Sequence, residues 1–425
     1  MSAATVSNRS NVRQNVAGPG ESIDERPTMT RMSITRILML SLLPATLFLY
    51  DRPQALVASS ALQPSATVID PPAIDEAALV TRLVSMTQPT RGERAIIVFD
   101  PTYYPGITNG LRDELNRRGV DTYVLVEDSQ EMIRSYIEDD AAHDRREAEV
   151  IETLRPLFTR ADIFYWMPAR GYVDDLRWER LVEQSRVRSV HFHWFLPYPG
   201  ERSNDRIVED TPAQMRRCLE VDFAAHARRQ ELLAAALRGR ALRITTPAGT
   251  DIRVDVPNDQ WFHRGDGDAS KARAAQARSI RDRQMELPVG LFNFLPDADS
   301  FTGTLLAPEV PRAGNDVRDI RMTFRKGRVD GLSAGNGADR VRETFREIGP
   351  DGDLIATVWL NTNPHNPRPG ITIEIGSNWE NGGRNRAKGA SRLSIRLADA
   401  TLTADGRALV ENGAILWDRV ESLDK

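Results

Sequence analysis

Residues able to do chemistry are sparse in this chain. It holds six histidines, His143, His191, His193, His226, His263 and His365, and one cysteine, Cys218. His191 and His193 stand two apart in a β-rich run, RSVHFHWF (188–195), so a strand there points both side chains to one side. Joined by a carboxylate, the pair could hold a metal ion; packing and hydrogen bonding at a strand end are the plainer use. His263 follows Trp261 and Phe262, an aromatic-histidine patch able to stack on a ligand, and His365 lies in the loop NTNPHNPRPG. Cys218 sits mid-helix with no base placed beside it, so it reads as structural. A lone cysteine also rules out an intramolecular disulfide and a cysteine-rich zinc site. No G-x-S-x-G elbow is present, which counts against a serine hydrolase. No G-x-G-x-x-G follows the first strand, so a dinucleotide site is not supported. Arg384, Arg392 and Arg396 fall within one short segment and would suit a carboxylate or phosphate.

Those residues must be positioned by 425 residues of ordinary globular composition, 40% hydrophobic and 27% charged, with a net charge of −4. A slightly acidic chain gives no electrostatic case for nucleic acid. The first 70 residues differ from the rest. Residues 1–30 are polar and unpatterned, as disordered segments are. Arg31 and Arg36 then precede the apolar run 37–50, which contains Pro44 and is shorter than the roughly 20 residues of a membrane span. A short apolar core behind basic residues reads as a signal-peptide segment, with Ala58 to Ala61 as a cleavage region. Export or a periplasmic location is therefore expected, and a cytoplasmic one is the alternative.

From residue 71 the pattern is α/β. Apolar runs at 94–100, 121–126, 162–167 and 188–195 read as buried strands. Helical spacing over 75–86, 107–118, 144–158 and 173–184 alternates with them. That alternation predicts a doubly wound parallel sheet over residues 71–239. Residues 212–238 read as one long helix, with a domain boundary at Gly239. Residues 240–425 are strand-rich and mixed, with hairpins around 247–250, Lys326-Gly327 and Asp405-Gly406. The charged stretch 264–283 reads as a solvated loop or short helix.

The order of pieces in the second half resembles the aminopeptidase T family of metal-dependent exopeptidases. The matching segments are ALRITTPAGTDIRV (241–254), ELPVGLFNFLP (286–296), GTLLAPEVP (303–311), MTFRKGRVDGLSA (322–334), DLIATVWLNTNP (353–364), ITIEIG (371–376), NGGRNRAKGASRLSIRL (381–397) and TADGRALVENGAIL (403–416). The resemblance spans roughly residues 75–420. It implies an N-terminal α/β domain, a C-terminal domain with a two-metal centre, and assembly as a dimer.

The positions that the resemblance assigns to metal ligands are altered. Leu291 and Thr357 stand where the family has glutamates, Thr372 where it has a histidine, and Ser394 and Arg396 where it reads His-x-Asp. Leucine, threonine and serine do not replace carboxylates and imidazoles around a divalent ion. The permanent charge of Arg396 repels one. A ring-cleaving iron dioxygenase branch on a similar fold needs the same ligand types. The expected protein is therefore a divergent relative without the metal centre or any cofactor. It would bind a small molecule or peptide, anionic through the arginines, near Leu291, Thr357, Thr372, Glu374, Asn378, Trp379, Arg384, Ser394 and Arg396. The alternative is an active aminopeptidase-like hydrolase with displaced ligands, holding a divalent metal, or with non-metal catalytic residues.

Overall fold

The computed structural model describes residues 75–99, 105–126, 140–167, 176–192, 212–310, 317–366, 369–389 and 391–422. The signal-like segment 37–50, the remainder of residues 1–70 and His193 lie outside the described residues. Among the described residues, no helix is long and apolar enough to cross a membrane.

The first half alternates helix and strand: α1 (Glu76–Thr87), β1 (Arg94–Phe99), α2 (Pro105–Arg117), β2 (Asp121–Val126), α3 (Asp140–Phe158), β3 (Ile163–Trp166), α4 (Leu176–Glu183) and β4 (Arg188–Phe192). The strands pair in parallel, β1 between β2 and β3, with β4 beyond β3. Both faces are covered, which is why β1 reads as an unbroken apolar run. Ala95 and Ile97 pack with Leu83 of α1 and Ile107 and Leu111 of α2. Ile96 and Val98 pack with Phe158 of α3 and Trp178 and Leu181 of α4. Helices on both faces make this the doubly wound sheet that the alternation predicts. Arg188 ties β4 to α1: its guanidinium donates to the Thr87 carbonyl and pairs with buried Glu93 at 2.9 and 3.0 Å.

The long helix expected over 212–238 is two helices, α5 (Pro212–Leu219) and α6 (Phe223–Leu237). The break has a local cause. The Asp222 backbone is extended and its carboxylate accepts the N–H of Ala225, which starts a new helix there. After Gly239, held at φ +68°, come β5 (Ala241–Thr245), β6 (Asp251–Asp255), β7 (His263–Arg264), α7 (Lys271–Ala274), β8 (Gln284–Leu287) and β9 (Leu291–Phe294). They are followed by β10 (Thr302–Glu309), β11 (Arg318–Arg325), β12 (Arg328–Ser333), α8 (Ala338–Ile348), β13 (Ile355–Asn361) and β14 (Ile371–Gly376). The chain ends with β15 (Arg392–Leu397), β16 (Thr401–Ala404), β17 (Arg407–Glu411), β18 (Ala414–Ile415) and α9 (Trp417–Glu421).

All three expected hairpins form, as β5–β6, β11–β12 and β16–β17. They belong to an eight-stranded antiparallel sheet, β12-β11-β10-β6-β5-β16-β17-β18. A second antiparallel sheet runs β15-β14-β13-β9-β7. The two share one apolar core, with Ile244, Leu305 and Met322 from the first and Phe292, Ile373 and Ile395 from the second. β8 instead leaves this half and pairs in parallel with β4, completing the first sheet.

The stretch 264–283 is solvated only in its middle, where the expected short helix forms as α7 with Lys271 and Ala272 exposed; its two ends are not. Asp266, Ser270, Arg281 and Asp282 are all buried, and the Ala269 N–H donates to the Met86 carbonyl. Its buried charges are tolerated because each has hydrogen-bond partners: Arg273 bonds Asp266 at 3.1 Å, and Asp282 accepts from Trp261 and from the Arg278 backbone.

Candidate functional site

The β7–β9–β13–β14–β15 sheet has two unlike faces. Alternation along each strand sends Phe292, Val358, Leu360, Ile373 and Ile395 into the shared core. The opposite face carries the polar residues, and the register aligns them across strands. One row runs Thr357, Glu374, Ser394; the next runs His263, Asn293, Trp359, Thr372, Arg396; Leu291 pairs with Asn361 beyond. All six strand positions expected in the cleft, Leu291, Thr357, Thr372, Glu374, Ser394 and Arg396, therefore share this face.

The face is built around buried ions. Glu374 accepts from Thr357 Oγ1 at 2.6 Å, from Ser394 Oγ at 2.9 Å and from Arg392 Nε at 3.0 Å. Arg392 also donates to Glu380 at 2.7 Å, and Glu380 accepts from Arg281 at 2.8 Å. Arg281 reaches Glu286 on β8, and Glu286 lies 3.4 Å from Nδ1 of His191 on β4. His191 stacks flat on Trp166, with ring centroids 3.7 Å apart. The side chains of Arg281, Glu286, Glu374, Glu380 and Arg392 are each at most 10% exposed. Five formal charges thus form one buried chain from the carboxyl end of the parallel sheet to the polar face of the antiparallel one. That edge of an open α/β sheet is where ligands usually bind. Burial pushes the Glu380 carboxyl up, but the Arg281 and Arg392 guanidiniums outweigh it and hold it below its ordinary value. Trp359 lies beneath both guanidiniums and donates to Thr357.

The other expected residues take separate roles. The buried side chain of Asn378 accepts the N–H of Asn385 at 3.0 Å and shapes the loop before β15. Trp379 donates to Glu183 of α4 at 2.6 Å and carries Arg180 over its ring. Arg384 is exposed, and Arg396 is exposed and donates to the Pro369 carbonyl. The expected arginine cluster is therefore not one anion clamp: Arg392 is engaged by two glutamates, whereas Arg384 and Arg396 lie at the surface. The metal pairing of His191 with a carboxylate reduces to its contact with Glu286, a residue that Arg281 also engages.

Beside the ion chain, His263 Nδ1 lies 3.5 Å from Asp282 Oδ1. Burial lowers the His263 pKa, and Asp282 opposes that shift. Burial raises the Asp282 carboxyl, but hydrogen bonds from His263, Trp261 and the Arg278 backbone outweigh it and hold it at about 2. Among the described residues, no group of three or more histidine, cysteine, aspartate or glutamate side chains is arranged to hold a metal ion. Sequence reasoning missed Arg281 and Glu380, which meet across 99 residues, and the pairing of Asp282 with His263. The available signal was an excess of charge in 264–283 too close to apolar strands to be all solvent-facing.

No family model and no curated protein matches the chain. Solved structures do match its fold. Wild-type AmpT from Thermus thermophilus superposes with a TM-score of 0.55 at 14% identity, covering 80% of this chain and 98% of that one. The 2,5-dihydroxypyridine dioxygenase from Pseudomonas putida KT2440 superposes with a TM-score of 0.53 at 15% identity, covering 80% and 96%. At these identities the likeness establishes the fold alone.

Proposed function

We propose that this chain is a metal-independent ligand-binding protein on the scaffold it shares with AmpT, with guanidinium groups in place of bound cations. The buried ion chain carries this reading. Glu374 bonds Thr357 and Ser394 at two of the altered ligand positions, and Glu286, Glu374 and Glu380 each bond Arg281 or Arg392. A divalent ion entering there must displace a guanidinium that is already hydrogen-bonded, and must then sit beside a permanent positive charge. The residues at the positions that the resemblance assigns to ligands are Leu291, Thr357, Thr372, Ser394 and Arg396, none of which offers a carboxylate or an imidazole to a divalent cation. The residues present do not fit a two-metal centre.

Elemental analysis of the purified protein, reloaded with zinc, cobalt, manganese and iron and then gel-filtered, tests the reading. No retained stoichiometric ion is the expected result. About two ions per chain, the content of a dinuclear centre, would restore the hydrolase reading. That second reading draws on one observation, the His263–Asp282 pair, which has the form of a histidine oriented by a carboxylate. Against it, the Ser279 hydroxyl donates to Asp282 at 3.0 Å, which does not make it a nucleophile served by His263.

A further inference from the structure

The geometry points to β2 as a self-pairing edge: two copies of this chain join their parallel sheets through antiparallel β2–β2 contact about a two-fold axis at Tyr123. β2 is the end strand of the β2-β1-β3-β4-β8 sheet. The Asp121 N–H donates to the Glu93 carbonyl, so Asp121, Tyr123 and Leu125 turn their backbone groups towards β1. Thr122, Val124 and Val126 turn theirs outward. Among the described residues, none hydrogen-bonds those outward N–H and C=O groups. DTYVLV holds no proline, lysine or bulge, the devices that blunt such an edge. Two large hydrophobic side chains are exposed among the described residues, Tyr123 at 44% and Val126 at 68%, and both lie on β2.

Both faces of β2 are already covered: Val124 packs in the cluster of Leu111 from α2, and Leu125 in that of Phe158 from α3. What β2 leaves open is its edge, which a strand fits. Self-complementarity identifies that strand as β2 of a second copy. Antiparallel pairing joins outward groups to outward groups, so Thr122 bonds Val124 of the second copy and Val124 bonds its Thr122. Tyr123 then faces its own counterpart across the axis in a non-hydrogen-bonded pair, where side chains approach most closely. Asp121, the one charge of the strand, falls opposite Leu125 of the second copy. The two aspartates stay about 13 Å apart, four residues along a strand, so the pairing opposes no like charges. The seam is short, at the small end of specific interfaces, and a dimer that dissociates in the micromolar range is expected. This inference concerns assembly and does not depend on the metal-free reading.

Light scattering and analytical ultracentrifugation of the full chain over a range of concentrations test the interface. A reversible monomer–dimer equilibrium is the expected result. Val124→Pro removes an outward N–H that the monomer leaves to solvent, so far-UV circular dichroism stays that of the parent. Dimerisation weakens at least about tenfold in that variant, the loss of two interfacial hydrogen bonds. Tyr123→Lys leaves every backbone bond in place, opposes two ammonium groups at the axis and weakens the dimer likewise. Oxidised glutathione converts Tyr123→Cys into a disulfide-linked dimer that excess thiol releases. The Cα atoms of such a pair stand about 4.5 Å apart, within the roughly 4.4–6.8 Å that a disulfide spans. The native Cys218 is buried, and the parent chain gives no such link. Three results overturn the proposal: a monomer at every concentration up to millimolar; dimerisation unchanged in both Val124→Pro and Tyr123→Lys; or a dimer that Tyr123→Cys does not cross-link.

Discussion

At the scale of single residues, the polar face is a problem of buried charge. Arg392 serves two glutamates at once, Glu374 at 3.0 Å and Glu380 at 2.7 Å, and its side chain is 10% exposed. Such pairs repay their desolvation only when complete, and removing one partner strands the others. Arg392→Met should therefore destabilise the protein by about 3–5 kcal/mol, read as a lower urea midpoint with an unchanged slope. A loss under about 1 kcal/mol, the value of exposed pairs, would mean that water reaches the cluster.

At the scale of elements, the break between α5 and α6 decides where α6 begins. The sequence 212–238 carries enough alanine, leucine and arginine to read as one helix, because propensity sums over a window and misses a single cap. Asp222 reverses that reading by accepting the Ala225 N–H from an extended backbone. Asp222→Ala should lower the Tm. In an uninterrupted helix the same change would raise it, since alanine is the better interior residue. α6 then places His226 and Gln230 against the turn into β9. Gln230 Nε2 bonds Thr362 Oγ1 at 2.7 Å and the Leu291 carbonyl at 3.1 Å.

At the scale of the whole molecule, that helix contact gives stability a pH dependence. Burial drives the His226 pKa down to about 4, while Asp266 raises it and Arg229 lowers it further. The unfolded chain takes up this proton near pH 6.5 and the folded one only near 4. The contribution is therefore complete above pH 6.5 and is lost as pH falls towards 4, a total of roughly 3 kcal/mol. Urea midpoints followed from pH 7.5 to 4 should fall over this window. His226→Leu should flatten the fall, and an unchanged profile in that variant would assign it to other groups.

Much of this architecture is legible in the sequence, since it rests on local rules. Apolar runs such as RAIIVF mark strands covered on both faces, and Lys326-Gly327 and Asp405-Gly406 mark turns. Period-two alternation in LFNF, ITIEIG and RLSIRL puts Leu291, Asn293, Thr372, Glu374 and Ser394 on one side of their strands before any contact is known. Which side meets solvent, and what meets the charges, has no local signature. Arg281 and Glu380 are 99 residues apart and His263 and Asp282 are 19 apart, with no spacing rule relating them. Only the crossing of β8 into the parallel sheet brings Glu286 beside His191. The sequence determined the elements and their faces through propensity and periodicity. The tertiary structure decided the partners, because hydrogen bonds and ion pairs depend on distance in space rather than along the chain.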